Sequence, residues 1–456
     1  MGDLADRCLA AAGVASGELQ VHDRALWLGG ALPVDELAVG TVGAALSAAA
    51  ALAEARTGHR PKIALSAEHA ALSFQSERHA RRAGAPLGPG FAAVSRLVRC
   101  AGGGWARTHG NYPHHARALA RALGFMLTGD PDADRAALVE AAAQRTPAAL
   151  EEAVFAVGGC AVAERTPTEW AAHPAGAAAA GPLITWRDDL AHPAARAIAS
   201  RARADVARPA DGLRVLDLTR VIAGPVAGRT LAALGAEVLR VDPPGLPEIR
   251  DQHADTGPGK RATVLDLADE PRREALLSGA DVLLCGYRPG ALVRFELDAE
   301  SIAARHPHLV HVSLSAWGED GPWAARRGFD SLVQVASGIA TRCARPDGTP
   351  GYLPAQALDR GTGHLIAAAA LCSLARRARG EPIAPARLAL ATTAAHLIAT
   401  SPPTPADEHT GTADAERFRV AFGELQLIAP PGTLDGTPPR WPHGPRPLGG
   451  DEPAWD

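Results

Sequence analysis

The sequence predicts an α/β protein organised around a parallel sheet, and two observations carry that expectation. Between Gly212 and about Gly318, short β-branched runs alternate with helical segments, the rhythm of strands joined by crossover helices. The runs are Leu213-Arg-Val-Leu-Asp217-Leu, Glu237-Val-Leu-Arg-Val241, Ala262-Thr-Val-Leu-Asp266-Leu, Asp281-Val-Leu-Leu-Cys285 and Leu309-Val-His-Val-Ser-Leu-Ser315. The second observation is the make-up of the loops around these runs. Ile222-Ala-Gly224-Pro225, Asp242-Pro-Pro-Gly245, Gly259-Lys260-Arg261 and Tyr287-Arg288-Pro289-Gly290 mix small residues with cations, and ligands of parallel sheets bind outside the carboxyl ends of the strands. Singly, each loop has an ordinary explanation: an Ala-Gly-Pro turn starts a helix, and an arginine is usually a solvated surface group.

Further along, Ala355-Gln-Ala-Leu-Asp359-Arg-Gly-Thr-Gly363 sets one carboxylate in a glycine-flanked turn before a long apolar helix. Two readings compete. Asp359 caps that helix, with Thr362 sharing the work. Alternatively it is a nucleophile, since carboxylates attack activated acyl groups when held out of water beside N–H donors, and glycines admit a bulky thioester to the main chain.

The signposts recur in a characteristic order. Arg214-Val-Leu-Asp-Leu-Thr-Arg220 leads into Ala223-Gly224-Pro225, then Leu234-Gly-Ala-Glu-Val-Leu-Arg-Val-Asp242-Pro-Pro-Gly245. After these come Lys260-Arg261, Tyr287-Arg288-Pro-Gly290, Ser313-Leu-Ser315-Ala-Trp-Gly318, Gly328-Phe329-Asp330 and Leu358-Asp359-Arg-Gly-Thr-Gly363. Over residues 212 to about 400 the chain resembles the family III CoA-transferases, whose relatives include α-methylacyl-CoA racemases. The resemblance implies a Rossmann-like parallel sheet as the large domain, a smaller α/β domain, and transfer of CoA from an acyl-CoA donor to a carboxylate acceptor.

By the same resemblance Asp359 is the nucleophile and carries an aspartyl-CoA thioester. Ile222, Ala223, Gly224, Pro225, Asp242, Lys260, Arg261, Arg288 and Arg294 become CoA-binding candidates, the cations suiting phosphates. Gly318, Gly361 and Gly363 are candidate oxyanion donors. No permanently bound cofactor is expected, because the CoA thioester is a substrate. Two alternatives stand beside transfer. A racemase or other α-proton enzyme is disfavoured by Phe329, which stands where the racemase branch has histidine. A catalytically silent CoA-binding subunit results if the altered domain order leaves the site incomplete. Gly286 and Asp242 also depart from the pattern, replacing an asparagine and a glutamate. Asp330 reads as a helix cap.

The domain order departs as well. Gly40-Thr-Val-Gly43, its Ala-rich helix and Lys62-Ile-Ala-Leu-Ser66 echo Gly361-Thr-Gly363, its helix and Arg387-Leu-Ala-Leu390, an internal repeat. Ala38 holds the position of the acid in that copy. The expected division is 1–95 as the echoing segment, 96–190 as the small α/β domain and 191–211 as linker. The CoA-binding and catalytic domain then spans 212–400, and a Pro/Gly-rich tail, 401–456, lies over the first part or a partner. An interlocked homodimer is expected from the resemblance. His109, His114 and His115 lack a tidy metal-ligand spacing, so no metal is expected and a surface cluster or a substrate-facing lid is the better reading.

Composition sets the outer limits. With 456 residues, 47% hydrophobic, the chain can bury two cores, and a net charge of −4 argues against nucleic acid. Six scattered cysteines without a CxxC pair suit a reducing cytoplasm. No apolar run reads as a membrane span, and Met1-Gly-Asp-Leu-Ala-Asp-Arg lacks a signal core.

Overall fold

In the computed structural model, the residues described are 2–13, 18–23, 25–88, 90–193, 205–246, 248–400 and 412–456. Most of the expected linker, residues 194–204, and the start of the tail, 401–411, lie outside them.

Six parallel strands form the main sheet: β1 (Arg214–Leu218), β2 (Glu237–Asp242), β3 (Lys260–Val264), β4 (Val282–Cys285), β5 (Val310–Ser315) and β6 (Ala386–Ala389). Their spatial order is β3-β2-β1-β4-β5-β6, and Thr185–Trp186 adds an antiparallel strand beside β6. This is the doubly wound order, which reverses between β1 and β4. The hydrophobic strand runs have a direct cause. Val215, Val282 and Leu284 join the core on one face while Leu216, Leu218, Leu283 and Cys285 join a separate core on the other, so both faces are covered, as parallel sheets require.

Three long helices build the first core. They are α1 (Val34–Thr57), α2 (Ala223–Ala233) and α4 (Ala357–Ala378), with the short α3 (Asp330–Ala336) near the start of α4. Glycine lets them approach closely. A Cβ at Gly361 would sit 3.2 Å from Leu37 of α1, and one at Gly363 would sit 2.5 Å from the Ala223 carbonyl oxygen of α2. The internal repeat is visible in the elements. Helix α1, strand Ile63–Ser66 and helix Ala67–Phe74 come in the same order as α4, β6 and helix Leu390–Ala399.

Helix α1 corrects the expectation that no apolar run is long enough for a membrane. With 24 residues and a mean hydropathy of 1.6 over its most apolar window, it is long and apolar enough to cross a bilayer. Yet 89% of that window is buried inside the protein, against α4 and the helix Asp3–Ala11, as suits the core helix of a packed fold.

Residues Leu97–Arg99, Trp105–Thr108 and Ala161–Ala163 form an antiparallel sheet, packed with helices Pro113–Leu123, Pro131–Ala143 and Pro147–Ala156 around their own core. The tail is more than an extended cover. Arg419–Phe422 and Leu425–Ile428 pair with each other, the second of them also with Arg81–Arg82, and Thr433–Leu434 pairs with Ile63–Ser66. The end of the chain is thereby stitched onto its beginning.

Candidate active site

The reversal of strand order leaves a crevice beyond the ends of β1 and β4, and a cavity of about 630 Å³ opens there. That volume lies in the range of small-molecule sites. Arg220 and Val221 lie just beyond β1, Tyr287 and Arg288 just beyond β4, Ser315 ends β5, and all of them line the cavity. Arg294, Phe329 and Asp359 complete the main-sheet side.

Asp359 occupies the first turn of α4 and is 6% exposed. The capping reading fails in detail. No side chain of the α4 sequence caps the helix from the residue preceding it; the cap comes from another helix. The carboxylate of Asp330 accepts the Asp359 N–H at 2.9 Å, and Gln334 donates to the same carboxylate. Thr362 is turned away, hydrogen-bonded to Thr393 at 2.7 Å. The Asp330 cap is thus real, but it serves α4 instead of its own helix.

This arrangement places two carboxyl groups together in a dry site. Burial holds Asp359 well above the ordinary carboxylate range, the nearby Asp330 charge adds to the rise, and Arg360 opposes it. Burial likewise raises Asp330 to about 6, against the hydrogen bonds from the Asp359 N–H and Gln334. Two neighbouring carboxyls cannot both ionise cheaply. The hydrogen bonds to Asp330 favour the charge there, leaving Asp359 as the group that gains a proton.

The expected CoA-binding residues separate into two sets. Arg288 and Arg294 are exposed on the cavity wall, Arg294 lying 4.5 Å from the Phe295 ring centroid. Neither has a carboxylate partner among the described residues. Ala223 also lines the cavity, at the start of α2. Ile222, Gly224 and Pro225 form the buried turn beneath it, where a Cβ on Gly224 would meet Thr219 at 2.2 Å.

Lys260, Arg261 and Asp242 belong elsewhere. The fully buried Lys260 ammonium donates to Asp217 at 3.1 Å and to the Pro225 carbonyl at 3.2 Å. It is consumed in holding β1 to α2. Arg261 pairs with Glu237 and donates to the Ala454 carbonyl, fastening the tail. Asp242 is paired bidentately by Arg240 at 2.8 and 2.9 Å. For the two cations the reason is topological: β3 lies at the sheet's far edge, and Lys260 and Arg261 begin that strand, at the opposite end from the cavity.

The glycines expected as oxyanion donors are also reassigned. Gly361 and Gly363 lie inside α4, where their N–H groups belong to the helix ladder and their missing side chains admit Leu37 and Ala223. Gly318, in the left-handed region at φ 97°, donates its N–H to Ser315 Oγ at 3.0 Å.

Residues outside the expected CoA-binding and oxyanion sets complete the wall. Tyr112, His114, His115 and Arg327 line the same cavity, the first three coming from the start of helix Pro113–Leu123. The Tyr112 hydroxyl donates to Glu248, which also receives Arg240 at 2.9 Å and the Val221 N–H at 3.2 Å. Val221 has φ 70°, a left-handed conformation costly for a β-branched residue. Arg220 could have been found by reading just beyond its strand; the histidines were read as a surface cluster or a substrate-facing lid, but sequence, with about a hundred residues between them and β1, does not say that they meet Asp359 in one cavity.

Comparisons with known proteins agree with this geometry. Residues 210–421 match CoA-transferase family III. The chain is 35% identical over 189 residues to a probable fatty acyl-CoA transferase, Rv3272, of Mycobacterium tuberculosis, covering 38% of this chain and 48% of that protein. It is 37% identical over 156 residues to acetyl-CoA:oxalate CoA-transferase of Acetobacter aceti, covering 31% and 40%. Mouse succinyl-CoA:glutarate CoA-transferase is 31% identical over 194 residues, covering 38% and 44%. A crystal structure of Rv3272 aligns with a TM-score of 0.40 at 35% identity, over 42% of this chain and 57% of that one. The chain thus spans less than half the length of these curated relatives. The matched region, 210–421, carries the six parallel strands and Asp359.

Proposed function

We propose that this protein transfers CoA from an acyl-CoA to a carboxylate acceptor through a thioester on Asp359. The observation that carries the reading is the placing of a dry, first-turn carboxylate in the same cavity as Arg288 and Arg294, two exposed arginines suited to phosphates. In the first step the Asp359 carboxylate attacks the thioester carbonyl, the carbon–sulfur bond breaks and CoA leaves as the thiolate, giving a mixed anhydride. The thiolate then attacks the aspartyl carbonyl, expelling the donor carboxylate and leaving aspartyl-CoA. An acceptor carboxylate repeats both steps in reverse. Burial of Asp359 supports this chemistry because it keeps water from the anhydride and thioester. The N-terminal turn of α4 favours negative charge on Asp359 and on the oxyanion formed beside it.

The test is intact-mass analysis after incubation with a panel of acyl-CoA thioesters. A CoA adduct on the wild type, absent from Asp359→Asn, is expected, together with a loss of turnover on the order of a thousandfold or more. Near wild-type turnover in Asp359→Asn, with back-conversion to aspartate excluded by mass, refutes the reading. We further propose a cytoplasmic homodimer, in keeping with six unpaired cysteines. Because α1 covers α4 within one chain, such a dimer uses a surface other than that face. Light scattering reads the mass directly, and a monomer at assay concentration refutes it.

A further inference from the structure

We infer that the cavity contains a carboxylate subsite, opposite Asp359, built by the start of helix Pro113–Leu123 and Arg327, so that the substrate carries a second carboxylate away from the reacting one. This inference rests on the CoA-transfer reading.

Four observations converge. Helix Pro113–Leu123 begins on the cavity wall with no side-chain cap; the His115 and Ala116 N–H groups are taken by the Tyr112 carbonyl, so the His114 N–H and the positive end of the helix are what the first turn offers an anion. His115, in its first turn, is only 4% exposed, and neither ring nitrogen has a hydrogen-bond partner among the described residues. A buried imidazole without partners is costly, and a bound carboxylate would supply the missing acceptor. The His114 ring lies beside it, tilted by 59° with ring centroids 4.0 Å apart. Arg327 lies on the same wall and donates to the Gly158 carbonyl at 3.0 Å.

The local charge balance points the same way. Arg326, the neighbour of Arg327, is matched by Glu152 at 2.8 Å, and Arg220 faces Glu248 at 3.5 Å. Arg327 has no such carboxylate among the described residues. Burial, the His114 ring and the charges of Arg327 and Arg220 depress His115 to about 3, as expected of an imidazole in a positive, dry corner. An anion in that corner reverses the electrostatic part of the depression. Phe329, whose ring lies 5.6 Å from that of His115, lines the same cavity as Asp359, and its apolar surface suits the methylenes of a short chain.

The test uses the full-length protein without CoA, with glutarate and its monocarboxylate counterpart valerate as probes in calorimetric titration. Glutarate is expected to bind at least tenfold more tightly. His115→Phe, which keeps the ring volume, and Arg327→Gln are each expected to remove most of that preference. A parallel titration with glutaryl-CoA and valeryl-CoA distinguishes the sources: a preference for glutaryl-CoA places the donor's distal carboxylate in the subsite, and a preference confined to free glutarate places the acceptor's. A carbon-13 signal of His115 that moves toward its protonated form on adding glutarate supports the contact. Equal affinity for glutarate and valerate, free and as thioesters, overturns the subsite. So does a preference that survives in both folded variants. Neither outcome depends on a CoA adduct at Asp359, so the subsite can fail while transfer stands.

Discussion

The Asp330–Asp359 pair makes a pH-dependent prediction with a definite sign. Aspartate attacks only when ionised, and Asp359 is held above the usual carboxylate range by burial first and by Asp330 second. Transfer should therefore rise with pH along an acid limb and level off once Asp359 has lost its proton. Asp330→Asn removes the second cause and leaves the first. Close like charges at an effective dielectric constant of about 20 repel by a few kcal/mol, so removing the Asp330 charge is a sizeable perturbation. The acid limb of kcat/KM should therefore move toward acid, while burial still holds it above the ordinary carboxylate range. The asparagine oxygen can still accept the Asp359 N–H, and loss of the charged cap should cost about 1 to 2 kcal/mol of stability. The assay is kcat/KM across the acid range for both proteins, with thermal unfolding at each pH to confirm folding. An acid limb that stays in place or moves toward alkali refutes the coupling.

The two sets of cations should behave differently. Arg288→Ala and Arg294→Ala should each raise the apparent constant for CoA thioesters roughly tenfold, about 1 to 2 kcal/mol, with little change for the acceptor. Lys260→Met should instead strand the buried Asp217 and cost about 3 to 5 kcal/mol of stability, read by denaturant unfolding; unchanged stability would mean that Lys260 is available to ligand after all. Buried His364, depressed to about 3 by burial and with no hydrogen-bond partner for either nitrogen among the described residues, gives a stability prediction. Its folded value lies below the ordinary 6.5, so its neutral form supports the fold above that pH and the support is lost as pH falls toward 3. His364→Phe should therefore soften the fall in melting temperature between about pH 6.5 and 4; an identical acid profile refutes the assignment. Residues 206–456 expressed alone lose α1, leaving the α4 face bare, and lose the Tyr112–His115 wall. The fragment should aggregate or be inactive, and a soluble, fully active monomer would contradict that.

The parallel sheet was legible because its strands are buried on both faces, so each appears as a compact β-branched run bounded by breaks. The placing of Arg288 and Asp359 on the crevice was legible for a related reason: one lies just past a strand beside the point where strand order reverses, and the other opens a helix in a glycine-marked turn. Local pattern carries that much. It carries less about Lys260 and Arg261, where a charged pair looks the same at the start of an edge strand as at a ligand. Only the sheet order showed that both lie at the end away from the cavity, the lysine committed to Asp217 and the arginine to the tail.

The glycines at 361 and 363 divide in the same way. Sequence determines that no side chain stands there, but whether the gap admits a ligand or a neighbouring helix depends on what packs against α4. Leu37 and Ala223 fill it. The same holds for His115, which sequence marks as one histidine of a cluster that is either a plain surface or a substrate-facing lid. Sequence by itself determined the strands, the switch-point loops and the position of the acid, because each depends on neighbours a few residues away. Tertiary structure alone decided which cations stay free, how Asp330 reaches another helix, and that the first part of the chain walls the cavity. Those outcomes depend on long-range packing and on the pairing of buried charges, which desolvation enforces only once the chain has closed.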